Sequence, residues 1–328
     1  MTNAYAQITA IVGKELKDVR RTYVLHLLSG FLLLAALTSL SVSAVALNAE
    51  YQTYIESRDL LLSLGKSAAA LTPPAFFPLK LLRGFIEHVE IIGAVLGIVL
   101  GYRAAAVERG HLTLALLLTR PLSPLSFLCG KLLGNLALIA AGLGATFVVG
   151  SIALPVISGI GLSADDLKRI LIVFASASLY VGAFFILAFI LALSLKRLRS
   201  ALLAAVAVWL SLVLVAPQIG DTMDPDNQVA GGVFRKLGIP KPEEKKILLS
   251  FENYEKIRDG IEQASPAKHF ERLSFAILGI KDIYNGQPIA FVLRERLADI
   301  VWLISIFAAL SLILFLRPLN FAQLSKEN

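Results

Sequence analysis

The sequence predicts an all-α integral membrane protein with six transmembrane helices, and three observations carry that prediction. Of 328 residues, 56% are apolar and only 17% charged, with a mean hydropathy of +0.73. Soluble domains run near ~45–50% apolar and about 25% charged. The charges are also uneven, clustering between long stretches that contain none. Finally, six of those stretches approach the ~20 residues needed to cross roughly 30 Å of hydrocarbon at ~1.5 Å per residue.

Taken in order, the expected spans are 23–47, 85–102, 132–156, 170–195, 201–217 and 298–316. The second is the least clean, because Glu87, His88 and Glu90 crowd its first turns. The fifth is short and starts close to the basic run Lys196–Arg199. On this plan residues 1–217 hold the first five spans, 218–297 form a long connection, and 298–328 hold the last span and a tail. The short connections on one side, with both termini, hold 13 Lys and Arg, against 6 in the short connections opposite. That asymmetry places both termini in the cytoplasm. Residues 218–297 hold 12 basic and 12 acidic residues, and they are too long for the rule to apply.

Composition also excludes functions. The single cysteine, Cys129, rules out an internal disulfide and a multi-cysteine metal cage. The net charge of +7 arises at span ends, which points to the lipid bilayer and not to nucleic acid. No cleavable signal peptide is expected, because Lys14, Lys17, Arg20 and Arg21 lack an apolar core and cleavage site ahead of them. Residues 132–164, 170–195 and 200–220 contain no Asp, Glu, Lys, Arg or His. A stand-alone ion-coupled carrier needs ionisable groups at membrane depth, and an intramembrane enzyme needs a catalytic cluster there. The one ionisable cluster within an expected span is Glu87, His88 and Glu90, at one rim of the second. No catalytic, metal or cofactor residue is therefore assigned, an energy source outside the chain is expected, and a stand-alone channel or carrier is kept as the alternative.

Three segments remain to carry chemistry. In the first, Ile8, Ile11, Val12, Leu16, Val19 and Tyr23 recur at helical spacing, with Lys14, Lys17, Arg20 and Arg21 largely opposite. That pattern suits a helix lying in the membrane interface. Its alternative is a basic flank that only sets topology. The second segment, 103–131, reads RAAAVERGHLTLALLLTRPLSPLSFLCGK. Leu112, Leu116 and Leu117 supply an apolar face, Glu108, Arg109 and His111 lead in, and Pro121 and Pro124 redirect the chain. A short amphipathic helix there suits docking on a soluble partner, with an interfacial connector as the alternative. Glu108 is expected to contribute little by itself unless docking buries it.

This second segment resembles the signature of type-2 ABC permeases: Glu108, Arg109, Thr113, Leu114, Leu116 to Leu118, Thr119, Pro121, Ser123, Gly130 and Lys131 match in order. Leu112 replaces the usual glycine, and Pro124 the usual basic residue. The resemblance implies a permease subunit in which an ATPase-coupling helix carries Glu108, Arg109, Thr113, Leu116, Leu117, Pro121 and Ser123. It implies as partners a separate ABC ATPase subunit and a second permease copy or similar subunit. The chain itself would hydrolyse nothing. Export, or movement of an extracytoplasmic partner protein, would be the output.

The third segment is 218–297, expected to be extracytoplasmic. It begins loop-like and turns helical at 247–261 and 270–278. Within it, SPAKHFERLSFAILGIKD resembles the Ser/Asn-Pro-x-x-x-Phe element that such permeases carry before the last span. Ser265 caps a helix with Pro266 at its first position, and His269 and Phe270 follow. His269 and Glu271 invite a metal reading, but a pair on one outer helix is expected to be merely solvated. Gly65-Lys66-Ser67 ends like a phosphate-binding loop, yet Leu60 replaces its first glycine. Gly93, Gly97 and Gly101 are expected to let two spans pack closely.

Overall fold

The computed structural model describes residues 4–21, 23–65, 77–110, 123–223 and 233–316, and among them it is helical with no strand. Six helices are long and apolar enough to cross a membrane. An 18-residue helix, α1 (Ala4–Arg21), precedes them. The spans are α2 (Val24–Ser63), α3 (Pro78–Arg109), α4 (Pro124–Ser158), α5 (Ala164–Ser194), α6 (Leu198–Gly220) and α11 (Leu297–Leu316). Between α6 and α11 lie α7 (Lys241–Ser250), α8 (Glu252–Gln263), α9 (Pro266–Ile277) and α10 (Ile289–Glu295). Six crossings return the chain to the face on which α1 lies.

The helices begin and end where local chemistry dictates. Ser123 caps α4, its hydroxyl accepting from the Ser126 N–H, with Pro124 at the first helical position. Gly159 ends α4 in the left-handed region at φ 71°, which costs glycine little. Ser163 and Asp166 form a reciprocal capping box at the start of α5. α2 and α3 overrun their apolar windows furthest. α2 continues through Gln52–Arg58 to Ser63, and no glycine or proline lies between Phe31 and Gly65. α3 starts at Pro78, so Glu87, His88 and Glu90 do not lie in the first turns of the helix. Helix propensity continues past the hydrocarbon boundary, and hydropathy does not register it.

α3 and α5 form the centre, with 67% and 61% of their apolar windows buried, against 17%, 22% and 17% for α2, α6 and α11. The α3–α5 contact is the most extensive in the molecule. It is built on the expected glycines: a methyl on Gly97 would overlap the Val181 carbonyl oxygen, and one on Gly101 that of Phe185. Backbones this close exclude any larger residue. The expected helix over 247–261 is two helices broken at Phe251.

α9 departs furthest from expectation. It is not an outer appendage but is packed among α3, α5, α6 and α11, with Phe270 fully buried. Two π-turns, Val89–Gly93 in α3 and Leu210–Val215 in α6, both touch it. A π-turn displaces the regular backbone pairing, and hydroxyls supply partners here. Tyr180 donates to the Glu90 carbonyl at 2.8 Å, and Ser265 donates to the Leu212 carbonyl at 2.5 Å.

Candidate functional site

The site grows from the root of the segment that sequence singled out. Glu108 and Arg109 close α3, and both are tied into the bundle. The Glu108 carboxylate is buried and accepts from Lys14 Nζ of α1 at 2.6 Å and Lys131 Nζ of α4 at 2.7 Å. Lys131 is itself buried and pairs with Glu15 of α1 at 2.6 Å. The second Glu15 oxygen accepts from the Asn135 amide at 3.0 Å. Two acids and two bases, one pair from α1, thus form one network, buried at Glu15, Glu108 and Lys131 and half-exposed at Lys14. Such a network is tolerable away from water only because each charge has a partner.

Arg109 reaches the other way. Its guanidinium donates to the carbonyls of Ala192, Leu195 and Lys196 at 2.7, 2.8 and 2.6 Å. These are orphan carbonyls at the C-terminal end of α5, where a cation is favoured. The adjacent acidic and basic residues of the motif therefore fasten the end of α3 to α1, α4 and α5.

α1 seats closely on α4. A methyl on Gly130 would come within 2.6 Å of Ile11 Cβ, and one on Gly134 within 3.0 Å of Glu15 Cβ. Of the basic face expected on α1, Lys17 is exposed as anticipated, while Lys14 is turned inward to Glu108. Arg20 and Arg21 stand in its last turn. Thr113, Leu116, Leu117 and Pro121 lie outside the described residues. Ser123, where the description resumes, is the α4 cap.

The opposite end holds the second candidate element. Ser265 and Pro266 open α9, with the Ser265 hydroxyl accepting from the Lys268 N–H at 3.3 Å. Phe270 stacks on Tyr180 of α5 at 4.9 Å between ring centroids. His269 is buried and not solvated, which corrects the sequence expectation. Its Nδ1 is 2.6 Å from an Asp299 oxygen of α11, its Nε2 3.0 Å from the Gln263 carbonyl, and its ring stacks on Trp302. Arg272 and Arg296 approach the same carboxylate at 3.6 and 3.5 Å. With both ring nitrogens engaged, His269 locks α9 to the last span and has no edge left for a metal. Glu271 pairs with Lys268 at 3.2 Å. Among the described residues no group of three or more His, Cys, Asp or Glu could hold a metal ion. Buried Arg169 completes the docking by donating to the Ile277 carbonyl at 2.7 Å and to that of Gln287.

Sequence reasoning passed over Glu15, Asn135, Arg169 and Asp299. Glu15 offered one usable signal, an acid on the inner arc of a basic amphipathic helix. The partners of Asn135, Arg169 and Asp299 lie 120, 108 and 30 positions away, so no local pattern announces them.

A search of curated proteins finds no match. The family model described as "ABC-2 family transporter protein" matches residues 9–318, from within α1 to just beyond α11. That span includes the α1–α3–α4 charge network, the glycine contact of α3 with α5, and the buried α9. The chain is a multi-pass membrane permease that belongs to the ABC-2 transporter family.

Proposed function

We propose that this chain is the permease subunit of an ATP-driven transporter, coupled through residues 108–123 to ABC ATPase subunits that are separate polypeptides. In this reading two permease copies, or one copy and a similar subunit, pair above the ATPases, and α1 and both termini face the cytoplasm. Closure of the ATPases pushes on the Leu116–Leu117 face, and the motion serves export or the movement of a partner protein on the opposite side. One observation supports this reading above others: the root of the segment is anchored on three sides, by Glu108 to α1 and α4 and by Arg109 to α5. A loop rooted this way moves its helices when pushed, whereas a slack connector would absorb the push.

The test is co-purification of an ABC ATPase with the affinity-tagged chain from native membranes. Buried apolar contacts are worth about 1.5–3 kcal/mol each, and exposed ion pairs roughly 0–1 kcal/mol. Leu116→Ser with Leu117→Ser should therefore release the ATPase while the permease stays monodisperse. Lys196→Ala with Arg197→Ala, on the neighbouring connection, should release less. Retention by the double-serine variant equal to that of the parent would sink the coupling assignment.

Orientation has its own test, in a Cys129→Ser background. Cysteine at Ile283, a side chain 73% exposed on the face opposite α1, should react with an impermeant thiol reagent in intact cells. Cysteine at Arg197 should react only after lysis. The reverse pattern would invert the topology.

A further inference from the structure

The outer face of α6 carries a groove that the transport reading does not use. It has a volume of about 550 Å³, within the ~300–1,000 Å³ typical of small-molecule sites. One wall is a single helical stripe of Leu214, Val215, Gln218, Ile219, Thr222 and Met223, running along α6 and its continuation to Met223. Tyr254 of α8 forms the other wall. α8 crosses the helix close to Gly220, where a methyl would lie 2.7 Å from Glu262 Cγ. The groove is the space left beside that crossing.

Its chemistry changes along its length. Leu214 and Val215 lie toward the bilayer interior and are exposed there. Gln218 and Thr222 follow toward the membrane boundary, with Tyr254 beside them. Among the described residues that line it none is charged. The Thr222 hydroxyl donates to the Gln218 carbonyl at 2.7 Å. The Gln218 amide and the Tyr254 hydroxyl supply donors. Phe251 and Ile257 extend the apolar face of α8 into the surroundings, 60% and 59% exposed. Aromatic and apolar side chains at a span's end sit at the level of lipid headgroups.

The groove is continuous with the bilayer-facing surface of α6, whose apolar window is only 22% buried. The stripe contains no Gly, Ala or Ser, the residues that let a second span approach closely. We propose that it seats one phospholipid of the leaflet opposite α1. An acyl chain lies along Leu214, Val215 and Ile219, and ester or phosphate oxygens accept from Gln218 and Tyr254. Because those donors are neutral, recognition rests on oxygens common to phospholipids and not on headgroup charge. This site stands independently of the ATPase assignment.

The test uses the full chain in phosphatidylcholine vesicles doped with phosphatidylcholine bearing a diazirine on its acyl chain. After photolysis, adducts are mapped by peptide mass spectrometry. Residues 214–223 and Tyr254 should be labelled about tenfold more than Leu27, Phe31 and Leu34, which are more exposed on α2, as expected for a site favoured over bulk lipid by ~1.4 kcal/mol. Val215→Trp with Ile219→Trp should abolish the excess and leave α2 labelling intact. Tyr254→Phe, a milder change at an exposed position, should reduce it. Replacing the vesicle with phosphatidylglycerol should leave the pattern unchanged. Uniform labelling of α2 and the groove overturns the proposal, and a strong dependence on headgroup overturns its chemistry. High-yield disulfide dimers of an Ile219→Cys, Cys129→Ser chain in membranes would mean that a second copy fills the groove, which also overturns it.

Discussion

Replacing Lys131 with methionine is expected to cost about 3–5 kcal/mol, the range for breaking a buried ion pair by removing one partner. Lys131 is 2% exposed and its ammonium lies within 2.7 Å of both Glu15 and Glu108. Methionine fills much of the same path but leaves two buried carboxylates facing one another. Glu108 keeps Lys14, at the half-exposed edge of the network, whereas Glu15 keeps only the Asn135 amide. The readout is thermal unfolding in detergent, with size-exclusion profiles as a check on aggregation. Adding Glu15→Gln to Lys131→Met should recover a large part of the loss, because it removes the stranded charge while Glu108 and Lys14 stay paired. That non-additivity is the signature of residues in one network. Lys17→Ala, on the exposed face of α1, should change stability by less than about 0.5 kcal/mol. If Lys131→Met melts with the parent, the network is not a structural unit.

The contrast between Lys131 and Lys17 shows how far the sequence could be read. Hydropathy located all six spans, because twenty apolar residues in a row admit few alternatives in a bilayer. The amphipathic pattern located α1, and the Ser265-Pro266 pair located the start of α9. What pattern could not give was depth and partner. Lys14 and Lys17 look alike on a helical wheel, yet one is turned inward by Glu108, a residue 94 positions away. Glu108 itself read as the mild member of a docking surface, and it is buried before any partner arrives. His269 read as solvated because its immediate neighbours are charged. Its burial is set by Asp299 and Trp302 on the last span, and α9 reaches them only because Phe270 and the two π-turns draw it into the bundle. Helix ends were misjudged for a related reason, since a helix such as α2 continues into water until a residue stops it.

Gly101→Val should be the most damaging single change within the spans. The neighbour that a side chain at Gly101 would strike is not another side chain that can swing away. It is the backbone of α5 at Phe185 and Phe189. Overpacking that side chains can absorb costs about 1–3 kcal/mol. Here the helices must separate along their whole contact, so the loss should exceed that range. Separation would uncover Phe185 and Phe189, both fully buried and stacked on one another at 5.8 Å. It would also pull Arg109 away from the α5 carbonyls, linking the packing defect to the root of the coupling segment. The expected result is a chain that no longer purifies as a monodisperse species. Gly97→Val should behave similarly, since its obstacle is the Val181 carbonyl. Gly30→Ala is the matched control, because nothing lies within 4 Å of a methyl there. That change should be neutral or slightly stabilising, as alanine restricts the unfolded chain more than glycine does. Equal stability of the Gly101→Val and Gly30→Ala chains would show that α3 and α5 do not pack backbone to backbone, and the central contact of the fold would have to be redrawn.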